Sequence, residues 1–257
     1  MSEIVKVSCV SYLNSVPYVQ GLKELHREGV IDLSLDMPSA CAQKVSNRTA
    51  DIGLIPVAAL IGLPEAEIIT DYCIGADGPV KSVTLLSEVP LTEIKTIQLD
   101  YQSRTSVNLT KILAARFWKI EPQWLATREG FEETISGTTA GVVIGDRSLQ
   151  LRNHYEFVYD LAGEWQKWTG LPFVFACWVT NKSLDSTFIR RFNAALASGL
   201  TQLDQIISDL KVKPNYYPET ESYLKDNLKF LLTPRMREGM DRFLLEVRAL
   251  GSDAVTG

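Results

Sequence analysis

The sequence predicts an α/β protein of two lobes, with mainly parallel sheets, helices on both sheet faces and a substrate cleft between the lobes. Three observations carry this. Over the first hundred residues, short apolar strand signals alternate with helix signals at the length of β-α-β units, which build parallel sheets. A fresh β-α series opens after the polar link at 88–95, so a middle lobe of 91–169 is inserted into a first lobe made of 1–90 and 170–257. Polar loops directly follow the predicted strands, at the carboxyl ends where a cleft opens in such folds.

Taken in order, residues 5–10 read as a buried strand and 16–27 as a helix, with Asn14 or Ser15 as its cap and Pro17 in its first turn. Gly29 ends the helix, 31–35 is the next strand, and Pro38 opens a helix to about 47. Asp51 to Pro56 is a short strand entering a loop. Between 68 and 87, two apolar runs are divided by Gly75-Ala76-Asp77-Gly78-Pro79, a turn or bulge. Residues 96–99 form a strand, and Ser103 caps a helix whose apolar residues Leu109, Ile112, Leu113 and Phe117 recur at helical spacing. Residues 141–145 and 156–159 are compact strands, and the apolar run 171–179 crosses between the lobes. The remainder reads as helical, in three apolar stripes: Phe188 to Leu203, Tyr223 to Leu231, and Met236 to Val247.

Composition narrows the function. Of 257 residues, 46% are hydrophobic and 22% charged, an ordinary globular balance. The net charge of −5 argues against a nucleic-acid partner, but a locally positive pocket for an anion remains compatible with it. No run approaches the roughly 18 apolar residues of a membrane span, and no secretory leader precedes the first strand, so the expectation is a cytoplasmic protein with no membrane partner. Cys9, Cys41, Cys73 and Cys177 are widely spaced in apolar surroundings and read as buried thiols. Two histidines, His26 and His154, cannot make a multi-histidine metal site, and both are expected on the surface. There is no nucleophile elbow, phosphate loop or strand-linked dinucleotide fingerprint.

Three loops remain as candidate chemistry. Ser11-Tyr12-Leu13-Asn14-Ser15 offers hydroxyls and a neutral amide beside a helix start; it is either a ligand loop or a capped helix with a tyrosine packed on it. Gln102-Ser103-Arg104-Thr105-Ser106 crowds five hydrogen-bonding side chains at a helix N-terminus. An arginine in a first turn opposes the helix dipole and needs an offsetting partner, so the loop is either an anion site or a solvated helix start. A third set joins Ser82, where a strand begins, to Gly145-Asp146, where one ends. There Asp146 is either a cap for the segment starting at Arg147 or a catalytic carboxylate. The aromatic segment from Trp165 to Trp178 is either a cleft wall or core.

Four stretches together resemble the chorismate dehydratase family of the futalosine route to menaquinone: Ser11-Tyr12-Leu13-Asn14-Ser15-x-Pro17, Ser103-Arg104-Thr105-Ser106, Gly145-Asp146, and Thr169-Gly170-Leu171-Pro172-Phe173-Val174-Phe175-Ala176-x-Trp178. The resemblance covers nearly the whole chain, in order. It implies a type II periplasmic-binding-protein-like fold used as an enzyme without cofactor or metal, and the conversion of chorismate, a small anionic substrate, to 3-[(1-carboxyvinyl)oxy]benzoate with loss of water. The candidate catalytic residues are Asn14, Ser11 and Asp146. The candidate substrate-binding residues are Tyr12, Ser82, Ser103, Arg104, Thr105, Ser106, Gly145 and Phe175. No general base is evident in the named loops apart from Asp146, which favours elimination assisted by the substrate's own enolpyruvyl carboxylate. Two alternatives stay open: a non-catalytic cytoplasmic binding protein for a small carboxylate, and the sister dihydroxynaphthoate synthase on the same fold.

Overall fold

A computed structural model describes residues 4–213 and 216–253. The chain opens with β1 (Val5–Val10), α1 (Val16–Arg27), β2 (Ile31–Asp36), α2 (Pro38–Ser46) and β3 (Ile52–Pro56), the expected β-α-β series. Then follow β4 (Glu67–Ala76), β5 (Val83–Ser87), β6 (Thr96–Leu99), α3 (Arg104–Ile112), β7 (Gln123–Ala126), β8 (Thr139–Ile144), α4 (Gly145–Leu151), β9 (Phe157–Asp160) and α5 (Leu161–Thr169). The last part holds β10 (Phe173–Thr180), α6 (Ser186–Thr201), α7 (Leu203–Lys211), α8 (Thr220–Ser222), β11 (Lys229–Leu231) and α9 (Pro234–Asp253).

Two compact units result. The first takes the chain up to Ile74 together with Phe175–Thr233; the second takes Gly75–Val174 and the chain from Pro234 on. These limits differ from the expected 91–169 insertion for two reasons. β5 pairs with β8 and β9, and so belongs with the middle of the chain. The C-terminal helix brings Phe243 against Phe173, at 5.0 Å between ring centroids, and so leaves the first unit.

The first unit is built on a six-stranded sheet in the order β11-β4-β10-β3-β1-β2, in which β1 runs parallel to β2 and β3 while β10 runs antiparallel to β3. Its core centres on Tyr18, fully buried, whose hydroxyl donates to the Cys73 carbonyl at 2.6 Å and whose ring meets Trp178 and Phe230 edge-on. Helix α1 lies against α6 backbone to backbone: a Cβ on Gly21 would collide with the Ala195 carbonyl, and one on Gly199 with the Pro17 carbonyl. Only glycine permits that approach.

The second unit holds a five-stranded sheet, β7-β6-β8-β5-β9, with β6 parallel to β7 and β8, and β5 antiparallel to β8 and β9. Trp165, Phe173 and Phe243 pack edge-to-face within it, so this part of the aromatic segment is core. The sheets are mixed, with parallel pairings of β1 to β2 and β3 and of β6 to β7 and β8. The antiparallel pairings come through β5, which pairs with β8 and β9, and through β10, which pairs with β3.

Two further expectations are corrected. Residues 229–231 form a strand, not a helical stripe. The α1 start has no side-chain cap, because the Ser15 hydroxyl donates instead to the Asn14 Oδ1 at 3.0 Å and to the Tyr12 carbonyl at 3.2 Å. The four cysteines are free and buried as expected. Burial pushes the Cys9 thiol well up and the Cys41 thiol up to about 11.

Candidate functional site

The candidate residues divide between the units. Ser11, Tyr12, Asn14 and Phe175 lie in the first; Ser82, Ser103, Arg104, Thr105, Ser106, Gly145 and Asp146 lie in the second.

In the first unit, the loop after β1 turns at once into a short 3-10 turn, Leu13–Ser15, that leads into α1. Ser11 is exposed, while Tyr12 and Asn14 are half-buried. The Ser11 N–H donates to the carbonyl of Asp36 at the end of β2, 3.0 Å away. Behind it, the Asp36 carboxylate accepts from Ser8, Ser34 and Lys44 at 2.7–2.8 Å. Burial pushes this carboxyl up, but those hydrogen bonds outweigh it and hold the group below its ordinary value. The Asn14 Oδ1 accepts from the Ser15 hydroxyl, and its amide nitrogen can act only as a donor. Phe175 is buried on β10.

In the second unit, β6 runs directly into the turn that starts α3. Ser103 is the N-cap, its Oγ accepting the Ser106 N–H at 3.1 Å and donating to the Ser106 hydroxyl at 3.0 Å. Ser103, Thr105 and Ser106 are buried; Arg104 is exposed. Among the described residues, no ion pair or side-chain hydrogen bond engages the Arg104 guanidinium. A cation thus stands at a helix start, where the dipole disfavours it, without a protein anion.

Ser82, buried before β5, accepts the Gly145 N–H on its carbonyl at 2.7 Å, which brings these two candidates together. Helix α4 begins at Gly145 with Ile144 as its cap residue. Asp146 therefore lies inside the first turn and is not the cap. It is half-buried there, where the dipole favours its negative charge.

The sequence reading missed the network between these two helix starts. Asp100, 3% exposed, accepts the Gln102 N–H at 2.9 Å and the Ile144 N–H at 3.2 Å. Arg147 reaches Asp100 at 2.7 Å and the Gln102 Oε1 at 2.9 Å, and is also paired with Glu132. Its guanidinium lies 5.4 Å from the ring centroid of Tyr101. Burial pushes the Asp100 carboxyl up, against the pull of Arg147 and the two N–H groups. The one available signal was a lone acid placed immediately after a buried strand.

Among the described residues, no group of three or more His, Cys, Asp or Glu side chains is placed to hold a metal ion, and no helix is long and apolar enough to cross a membrane. His26 and His154 are both exposed.

Comparison with known proteins gives the relationships. A family described as menaquinone biosynthesis matches residues 5–248. A chorismate dehydratase of Thermus thermophilus is 24% identical over 217 residues, which span 76% of this chain and 79% of that protein. Among solved structures, an Archaeoglobus fulgidus protein matches with a TM-score of 0.76 at 13% identity, over 97% of this chain and 98% of that one. A Candida albicans protein described as having the generic periplasmic binding protein fold matches with a TM-score of 0.68 at 13% identity, over 96% and 90%. The periplasmic aliphatic sulphonate binding protein of Escherichia coli matches with 0.62 at 15% identity, over 99% and 89%. At such identities these structures establish the fold alone, that of the periplasmic binding proteins. With its match running over nearly the whole length, the chain belongs to the menaquinone biosynthesis family.

Proposed function

We propose that the protein is a chorismate dehydratase, a hydro-lyase that removes water from chorismate to give 3-[(1-carboxyvinyl)oxy]benzoate. The observation that carries the reading is the Arg104 guanidinium, exposed at the start of α3 and, among the described residues, without a protein anion. A substrate carboxylate there supplies the missing counter-charge and meets both the guanidinium and the helix dipole. The Thermus relative and the family match support the choice of chorismate among small carboxylates.

The elimination breaks a C–H bond at the ring carbon bearing the enolpyruvyl ether. Its electron pair becomes a ring double bond, and the neighbouring C–O bond breaks as hydroxide leaves. The proton and hydroxide depart as water, and the ring becomes aromatic. In this reading the substrate's own enolpyruvyl carboxylate takes the proton. Asn14 donates its amide N–H to the leaving hydroxyl, and Ser11 holds the substrate's orientation. The Asn14 amide cannot abstract a proton, but its nitrogen can donate while Oδ1 accepts from Ser15.

Incubating the purified protein with chorismate, and following the aromatic product by absorbance and mass, tests the reading. Conversion is expected. Binding without conversion favours the second reading, a binding protein for a small carboxylate.

A further inference from the structure

We infer that Asp100, clamped by Arg147, is a positioning residue for the reaction: it sets the turn that leads into Arg104 and ties it to the start of α4, which carries Asp146. The inference rests on the dehydratase reading and deepens it, since neither residue touches the substrate in that reading.

The carboxylate of Asp100 has two oxygens with different duties. Oδ1 accepts the Gln102 N–H at 2.9 Å, which closes the turn leading to the Ser103 cap. Oδ2 accepts the Ile144 N–H at 3.2 Å, on the residue that caps α4. One buried group thus fixes the starts of two helices that are distant in sequence. Arg147 stands in α4 itself and reaches back to both Asp100 and the side chain of Gln102. Its other nitrogen is held by Glu132, and its flat face by the Tyr101 ring. The Gln102 amide is held at its second end as well, donating to the Tyr101 hydroxyl at 2.8 Å.

Arg104 follows two residues after this fixed turn and Asp146 two residues after Ile144. Rotation of the turn swings the Arg104 guanidinium through a long lever. A binding group displaced by about 1 Å costs on the order of 100-fold in rate. A fixed Asp100 keeps both loops in one register, independent of what occupies the site.

The test is a double-mutant cycle on chorismate turnover with Asp100→Asn, Arg104→Ala and the pair together. Asp100→Asn keeps the volume but puts an amide nitrogen where an N–H or the guanidinium needs an acceptor. With the fold intact by circular dichroism, it is expected to raise KM roughly tenfold or more. In KM the pair is expected to be no worse than Arg104→Ala alone, because the misplaced binding group is already gone. Multiplicative losses in the pair overturn the inference, since Asp100 then acts independently of Arg104.

Arg147→Lys serves as a second variant that keeps the charge but not the fork, and it should follow Asp100→Asn. Wild-type KM in Arg147→Lys would also count against the clamp. If the wild type does not convert chorismate, the dehydratase reading falls by that result alone. The positioning is then read by amide exchange over 100–107 and 143–147. Faster exchange in both segments of Asp100→Asn supports it, and unchanged protection in either overturns it.

Discussion

The N–H of Lys81 lies 2.6 Å from Oδ2 of Asp160, and that bond holds Lys81 in the left-handed region, at φ +67°. Oδ1 of the same carboxylate accepts the N–H groups of Val80 and Gly163, each at 3.0 Å. Asp160 is therefore both the N-cap of α5 and the cradle of the turn that delivers Ser82. Burial pushes its carboxyl up, and the three N–H groups pull it back. An ordinary N-cap loss costs about 1 kcal/mol. Asp160→Ala also strands the Lys81 and Val80 donors, so the expected loss is about 3 kcal/mol. Urea unfolding measures it, and a loss no larger than that of a simple cap would refute the cradle. Lys81→Gly should be neutral or stabilising, because glycine accepts this φ without strain.

Arg104→Ala should separate function from stability. The guanidinium opposes the dipole of α3 and touches no anion among the described residues, so its removal is expected to leave the melting temperature unchanged or slightly raised. A charge-assisted contact to a substrate carboxylate is worth about 2 kcal/mol, or roughly 30-fold in KM. Steady-state kinetics and thermal unfolding on the same preparation decide the matter. A destabilised protein with unchanged KM would make Arg104 a structural residue.

Much of this was legible from the chain. The Ser103 cap and the burial of Leu109, Ile112 and Leu113 follow from a hydroxyl before a 3.6-residue apolar pattern. What escaped depends on distance in sequence or on short elements. Asp100 and Arg147 are 47 residues apart, and nothing local in either marks the other as a partner. Residues Gln123–Ala126 of β7 form a four-residue strand with three exposed positions, and so leave no alternating pattern. Tyr223, Leu224, Leu228 and Leu231 fit a helical stripe by spacing, yet a π-turn and then a strand place them. The C-terminal helix is chemically the same whichever unit it joins; its contacts assign it, among them Phe243 against Trp165 and Phe173, and Glu246 paired with Arg116.

Asp36 gives a pH dependence with a definite sign. Despite burial, its hydrogen bonds from Lys44, Ser34 and Ser8 hold the folded-state carboxyl below the ordinary 3.8. The ionised form is thus favoured by folding. Its stabilising contribution is present in full above the unfolded-state value and is lost as pH falls through the lower folded-state value. Wild type should exceed Asp36→Asn in stability at pH 7, and the gap should close below about pH 3.8. Denaturant midpoints of both proteins across pH 7 to pH 2.5 would show it; a gap independent of pH would assign the effect to packing.

Asp146 decides between two versions of the chemistry. It lies in the first turn of α4, one residue from Gly145, whose N–H is bound to the Ser82 carbonyl. If the substrate's carboxylate takes the proton, Asp146 contributes only field and orientation. Asp146→Asn, which keeps shape and hydrogen-bonding capacity, should then retain kcat within about tenfold of wild type, well short of the 10²–10⁴-fold contribution of a general base. The kcat profile should also lack an acid limb that disappears in the variant. Near-complete loss of kcat with KM unchanged would instead make Asp146 the base, with Asn14 still serving the leaving hydroxyl. Deuterium at the ring carbon that loses its proton sharpens the reading. Under substrate assistance, the kinetic isotope effect on kcat should be the same in wild type and Asp146→Asn, because the proton acceptor travels with the substrate and is untouched by the substitution.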